Sequence, residues 1–304
     1  MAAIIETQQL TKSYGVHRGI IEVDLEVQPG EVFGFLGPNG AGKTTTIRTL
    51  LDLIRPTSGV ARIFGIESSA DPVAIHRRIG YLPGEFALYD RLTGHQHLEY
   101  FANLRGGVDT SYQAGLIERL DLDPSRKFKE YSKGNKQKVG LVIALQHHPE
   151  LLVLDEPTAG LDPLIQLSFF EALRDAVTDG ATVFLSSHIL SEVEKSCDRV
   201  AIIRDGRLVK VDTVDALRDL AHHQVELRFS GDVPTAAFAA LPGVSDVIVD
   251  DHVLRMRVAG GIAPVVQAAA GYELLDFVSR EPSLEDTFLA QYGRQAIEVS
   301  DHGS

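Results

Sequence analysis

This 304-residue chain has no tryptophan and a single cysteine, Cys197. One thiol cannot close an intrachain disulfide framework, and its scarcity suits a reducing cytoplasm. Cys197 itself reads as a small residue on a helix. Long apolar runs are also missing. No stretch approaches the roughly 18 residues that cross a bilayer, so any membrane-embedded part must come from another chain. The opening MAAIIETQQLTKSYG has no basic region leading into an apolar core, and a cleaved leader is not expected. Basic charge is short as well: 29 Lys and Arg face 42 Asp and Glu, for a net charge of −13. That balance argues against a general nucleic-acid binder. The deficit is uneven, at −6 over residues 1–220 and −7 over the much shorter 221–304.

At 44% hydrophobic and 23% charged, the chain is ordinary for a globular protein, and its length allows two domains. Apolar and acidic residues alternate in IIEVDLEV, which predicts a strand over Ile21–Val27 with one face exposed. EVFGFLG predicts a buried strand, KTTTIRTLLDLI a helix running to Pro56, and GVARIFGI and RRIGYLP two further strands. From Gly94 to His148 the spacing turns helical, in HQHLEYFANLR, YQAGLIERL and KQKVGLVIALQHH. Strands return with LLVLD, ATVFLSS and RVAII, and Asp205-Gly206 predicts a turn into RLVKV. The alternation implies an α/β sheet with a helical insertion. After about Leu220, strand-like VELRF, SDVIV, HVLRMRV and YELLDFV enclose helix-like TAAFAALPG and GIAPVVQAAAG. That β-α-β-β-α-β order suggests a ferredoxin-like module, and SLEDTFLAQYG adds a last helix opened by Ser283 and Asp286.

The chemistry concentrates in two places. GPNGAGKTT, with a strand before it and a helix after, fits G-x-x-x-x-G-K-[ST] from Gly37 to Thr44. Glycines let the loop curl so that backbone N–H groups and a helix N-terminus face a polyphosphate. Lys43 would hold the β- and γ-phosphates and Thr44 would ligate Mg²⁺. LLVLDE then puts Asp155 and Glu156 at the end of a buried strand. Adjacent carboxylates there resist desolvation unless positive charge is near. Asp155 suits a magnesium ligand through water. Glu156 suits the group that orients or deprotonates an attacking water.

From about Ile4 to Leu220 these motifs resemble the nucleotide-binding subunits of ABC transporters. The resemblance implies a P-loop NTPase of the ABC ATPase type: an α/β core over residues 1–220 with antiparallel β and helical subdomains, the latter at about 90–148. A small α+β ferredoxin-like domain would follow at 225–304. It implies ATP and Mg²⁺ as cofactors, with Gly37, Asn39, Gly40, Ala41, Gly42, Lys43, Thr44 and Thr45 around the phosphates. YSKGN stands in the place of the family's signature loop; it keeps Ser132 and Gly134 and departs at Tyr131, Lys133 and Asn135. In the family this loop addresses ATP held by a second subunit, so two chains sandwich two nucleotides, with Asp162 of AGLD crossing the interface. His188, ending FLSSH, matches the switch histidine that contacts the γ-phosphate, and Tyr14 of KSYG matches a ring stacking on adenine. The family's glutamine after IGYLP is missing. Gly84 stands there, beside Glu85.

The resemblance further implies a homodimer on the cytoplasmic face of the membrane, energising a separate permease. The PSLED-F segment, Pro282–Phe288, is similar to the antibiotic- and multidrug-exporter branch, whose permeases are of ABC-2 type. The tail would regulate or stabilise the dimer. A soluble ATPase acting on nucleic acid or chromosome structure is the alternative, but residues 45–130 leave no room for its long coiled coil. A GTPase or small-molecule kinase would lack YSKGN, LDEP and SSH. The cluster Arg126, Lys127, Lys129, Lys133, Lys136 and Lys138 reads as a solvated face. His95, His97, His147 and His148 are expected at surfaces and helix ends.

Overall fold

The computed structural model describes residues 2–15, 17–219, 222–259 and 261–280, and the chain divides into two units, Met1–Val211 and Asp212–Ser304. The first unit begins with β1 (Ile5–Tyr14), β2 (His17–Val27), β3 (Val32–Leu36), α1 (Lys43–Leu50), β4 (Ser58–Ile63) and β5 (Ile66–Glu67). Next come α2 (Pro72–Arg77), β6 (Ile79–Leu82), α3 (Gly94–Leu104), α4 (Thr110–Arg119) and α5 (Lys133–Leu145). It closes with β7 (Leu151–Asp155), α6 (Pro163–Thr178), β8 (Thr182–Ser187), α7 (Leu190–Ser196), β9 (Arg199–Arg204) and β10 (Arg207–Thr213), whose last two residues belong to the second unit.

Six of these strands form one sheet in the order β10-β9-β3-β8-β7-β6, parallel from β9 to β6. Every residue of β3, β7 and β8 is buried, as a parallel sheet covered on both faces requires. Phe33 stacks on Phe184 across adjacent strands at 5.9 Å. Parallel neighbours end at one edge, so the segments after β3, β7 and β8 emerge side by side. Register makes this specific: Leu36 pairs with Ser187, and Asp155 with Ser186. A second, antiparallel sheet, β2-β1-β4-β5, turns its apolar face inward. There Ile20, Val23, Leu25 and Val27 are buried while Glu22, Asp24 and Glu26 are exposed.

Several boundaries differ from the sequence expectation. The first helix ends at Leu50, short of Pro56: Asp52 turns left-handed and the Leu53 N–H closes on the Arg48 carbonyl at 2.9 Å. GVARIFGI is two strands because Phe64 and Gly65 both take positive φ. Helix α2 has no counterpart in the expectation, although Asp71 caps it and Pro72 opens it. Helix α5 starts at Lys133 because the Ser132 hydroxyl accepts the Asn135 N–H at 3.2 Å.

In the second unit α8 (Val214–Asp219) is followed by β11 (His222–Phe229), α9 (Thr235–Ala239), β12 (Val244–Asp250), β13 (Val253–Ala259), α10 (Ala263–Ala269) and β14 (Leu274–Arg280). The four strands pair antiparallel in the order β12-β13-β11-β14. Leu227, Phe229, Phe238, Leu254 and Val265 centre its core. The expected final helix and the Pro282–Phe288 segment lie outside the described residues. Among those described, no helix is long and apolar enough to cross a membrane.

Candidate functional site

A cavity of about 680 Å³ opens at the shared edge of β3, β7 and β8, lined among others by Asn39, Gly40, Gly42, Lys43, Thr44, Thr45, Asp155, Glu156 and His188. The loop from Gly37 to Thr44 tolerates little but glycine at two points. A Cβ on Gly37 would lie 2.4 Å from the Ile203 carbonyl oxygen. Gly42, the residue before α1, sits at φ 112°, and a Cβ there would lie 2.8 Å from the Ile20 side chain. This curl leaves the first turn of α1 facing the cavity. Lys43 is only 6% exposed; its Nζ donates to the Gly37 carbonyl at 2.6 Å and pairs with Glu156 Oε1 at 3.1 Å. Of the two acids, Glu156 therefore has its cation.

Asp155 is fully buried. Its Oδ2 accepts the Thr44 hydroxyl at 2.8 Å and its Oδ1 accepts the Ser186 hydroxyl. Its charge is felt by Tyr81, whose phenol is pushed up by burial and then by Asp155. Glu156 takes a left-handed φ of 52°, uncommon for a residue with a side chain. Its neighbours hold it there. The Glu156 N–H donates to the Ser186 carbonyl at 3.2 Å, and the Gln137 amide donates to the carbonyls of Glu156 and Pro157 at 3.3 and 3.0 Å. The turn aims the carboxylate at both partners: Oε1 at Lys43 and Oε2 at Nδ1 of His188, 2.5 Å away.

Ala41 is buried in the loop without lining the cavity. Tyr14, Ser132, Gly134 and Asp162 also lie outside its lining. Tyr14, 46% exposed at the end of β1, carries the Lys12 ammonium 5.4 Å from its ring centre. Ser132 is exposed and caps α5. Gly134 packs so tightly on the Gly160 carbonyl that a Cβ would come within 2.4 Å. Asp162 caps α6, accepting the Leu164 and Ile165 N–H groups at 3.1 Å. Gly84 lies against the acid: a Cβ there would stand 3.3 Å from Asp155 Oδ2, while exposed Glu85 lines the cavity. Lys133 lines it too.

Two supports were missed in the sequence. Ser186 is visible there as the first of two serines that close the apolar run VFL, and Gln137 as a polar residue five places after the signature serine. Two expectations need correction. The basic cluster is not one solvated face, since Lys138 is buried and its Nζ donates to the Asp121 carbonyl at 2.9 Å. His97 is not at a surface: it is fully buried between Tyr89 and Phe128.

A family model described as ABC transporter matches residues 20–159. The bacitracin transport ATP-binding protein of Bacillus licheniformis is 35% identical, over 98% of this chain and 100% of its own. The daunorubicin resistance ATP-binding protein of Streptomyces coeruleorubidus is 36% identical, over 91% and 92% respectively. Among solved structures, an ATP-binding subunit of an ABC transporter superimposes with a TM-score of 0.65 at 32% identity, covering 71% of this chain and 92% of that one.

Proposed function

This chain belongs to the ABC transporter ATP-binding proteins, and from that premise we propose that it hydrolyses ATP to energise a separate membrane permease that exports drugs, antibiotics or other small hydrophobic molecules. The observation that carries the proposal is the convergence of Lys43, Thr44, Asp155, Glu156 and His188 on one cavity. The residues fit a magnesium nucleotide. The glycine-built curl at Gly37 and Gly42 has no space for side chains but exposes backbone donors to phosphate. Thr44 and Asp155, already bonded to one another, offer hard oxygen donors suited to Mg²⁺, which keeps several waters of its own. When bound, the ion neutralises charge on the β- and γ-phosphate oxygens.

The protein residues then divide the work. Lys43 holds the β- and γ-phosphates, exchanging its contacts with Glu156 and the Gly37 carbonyl for phosphate oxygens. Glu156 takes a proton from the attacking water, and its left-handed backbone fixes where that proton is received. His188 holds the Glu156 carboxylate from the other side and contacts the γ-phosphate. Tyr14 stacks on the adenine ring. Ser132, Gly134 and Asp162 stand off their own chain's cavity, which supports a role toward the nucleotide of a second, identical subunit.

The permease partner is of the ABC-2 type and the chain sits peripherally on the cytoplasmic face of the membrane. The relatives named for bacitracin transport and daunorubicin resistance support the class of cargo. The tail, expected from the sequence to be a small ferredoxin-like domain over 225–304, regulates or stabilises the dimer. Two variants test the catalytic reading. Glu156→Gln should bind ATP yet hydrolyse it about 10²–10⁴-fold more slowly, the usual cost of a lost general base. Lys43→Ala should instead weaken nucleotide binding itself. Titration with a fluorescent ATP analogue beside phosphate release separates the two, and near-normal turnover by Glu156→Gln defeats the reading.

A further inference from the structure

Glu192, in α7, is a buried acid that the catalytic scheme leaves unused. Its side chain is 7% exposed; Oε2 accepts the Ser187 hydroxyl at 2.6 Å, and Oε1 is buried without a partner. A buried carboxylate with an unmet oxygen is costly, so its presence calls for a local reason.

Ser187 supplies that reason. A hydroxyl has one proton to give and two lone pairs to accept with. Two acceptors compete for the proton, Glu192 Oε2 at 2.6 Å and the Ile189 carbonyl at 3.3 Å. The shorter, charge-assisted bond prevails. That orientation turns the lone pairs toward the Ile189 N–H, which donates to Ser187 Oγ at 2.9 Å. Ile189, the residue before α7, has no polar side chain to cap the helix, and its own N–H is held by Ser187, which in turn donates to Glu192 in the first turn of α7. His188 is the residue between Ser187 and Ile189, and the relay closes the turn around it. The Ser187 carbonyl also accepts the Gly37 N–H at 3.2 Å, which ties the same turn to the start of the phosphate loop. Val193 and Cys197 anchor α7 on β3, where a Cβ on Gly34 would come within 2.9 and 3.0 Å of them. Burial pushes the Cys197 thiol up to about 12, with the Asp198 and Glu192 charges contributing.

We propose that Glu192 is a positioning residue which, through the Ser187 hydroxyl, holds the turn that brings the His188 ring onto the Glu156 carboxylate. The inference rests on the catalytic reading of Glu156 and His188 given above. Glu192 does not line the cavity; it acts by fixing one hydroxyl proton.

The test uses the full chain and four variants. Glu192→Leu removes the acceptor at similar volume, Glu192→Gln keeps an acceptor oxygen, Ser187→Ala removes the relay, and the double variant Ser187→Ala/Glu192→Leu removes both. Glu192→Leu and Ser187→Ala should each lower kcat about tenfold, the scale of one lost hydrogen bond to a charged group, with KM for ATP nearly unchanged. The double variant should be no worse than either single one, because the two act as one unit. Glu192→Gln should recover most of the rate. A second readout needs no nucleotide: the imidazole nitrogen signals of His188, assigned by their loss in His188→Ala. They should shift in Glu192→Leu and Ser187→Ala and stay near the parent position in Glu192→Gln. Unchanged kcat and His188 signals in a folded Glu192→Leu overturn the inference, as does a Glu192→Gln variant as impaired as Glu192→Leu. Should Glu192→Leu fail to fold, an unmoved His188 signal in Ser187→Ala overturns it alone. Normal turnover by Glu156→Gln would instead sink the catalytic reading, and the nucleotide-free signals would still decide what Glu192 holds.

Discussion

Gly84 puts bare backbone beside the Asp155 carboxylate, in the slot where the family has a glutamine side chain. The approach is close enough that even a methyl group would meet Asp155 Oδ2 at 3.3 Å. Gly84→Ala should therefore displace the carboxylate by a few tenths of an ångström and loosen its bond with Thr44. The expected result is a several-fold higher Mg²⁺ concentration for half-maximal phosphate release, measured by titration, with ATP binding retained. Glu85 lines the cavity but is exposed and bonds to none of these groups in the described hydrogen bonds. Glu85→Ala should reduce turnover by no more than about threefold, far short of the roughly 10²–10⁴-fold expected when a general base is removed. Equal damage from Glu85→Ala and Glu156→Gln would reassign the metal contact to Glu85.

Helix starts do the positioning at the next scale up. Three helices of the middle segment open on capping side chains: Thr93 with Gln96 on α3, Asp109 on α4 and Ser132 on α5. On α5 the cap has a second consequence. It leaves an exposed helix N-terminus whose dipole favours an anion; Ser132 itself stays outside the lining of this chain's cavity, although Lys133 reaches it. If that N-terminus serves a partner's nucleotide, two crippled chains can complement each other. Ser132→Arg and Lys43→Ala, each inactive alone, should regain measurable ATPase activity when mixed, since one composite site per mixed dimer has neither lesion. Loss of the cap costs about 1 kcal/mol, so melting curves must first show that Ser132→Arg is folded. No recovery, with mixed dimers demonstrated by differential tagging, means that each chain works alone.

For the molecule as a whole, two consequences follow. The first concerns acid. His147 is held neutral, its pKa lowered to about 4 by burial and then by the Arg105 charge, while its Nε2 lies 3.2 Å from the Ile79 carbonyl. The unfolded chain protonates the same ring near its ordinary value of about 6.5. Between those values the unfolded state binds more protons, so stability falls as pH drops from about 6.5 toward 4, and this contribution is flat above that window. Parent protein should lose about 1–2 kcal/mol more than His147→Gln across this range, allowing for a ring that is not fully buried. Urea melts of both proteins at pH 7 and pH 4.5 provide the measurement. The second consequence concerns the tail. Residues 221–304 carry 12 acids against 5 bases, and no metal-binding cluster occurs among the described residues. A chain truncated after Leu220 should bind ATP as the parent does; loss of binding in a truncated chain with native far-ultraviolet dichroism refutes a purely regulatory tail.

The sequence by itself determined the chemistry-bearing segments, because their physics is local. A glycine loop between strand and helix, a buried run ending in two acids, and a histidine closing another buried run are each complete within a dozen residues. Alternation in IIEVDLEV likewise predicted which face of β2 is buried. What the chain could not reveal is which ends meet. Only the parallel register of β3, β8 and β7 sets Ser186 beside Asp155 and His188 beside Glu156. Only the fold shows that Gln137 supports the left-handed turn at Glu156, that Lys138 is buried, and that His97 is core. These are relations between residues distant in sequence, and each depends on loop closures and packing that local periodicity does not encode. Boundaries drifted for the same reason: whether Lys133 or Lys136 begins α5, and whether α1 stops at Leu50 or runs to Pro56, is decided by single caps and one left-handed residue. Segment identity is written in composition and spacing; the meeting of Lys43, Glu156 and His188 in one cavity exists only once the sheet has formed.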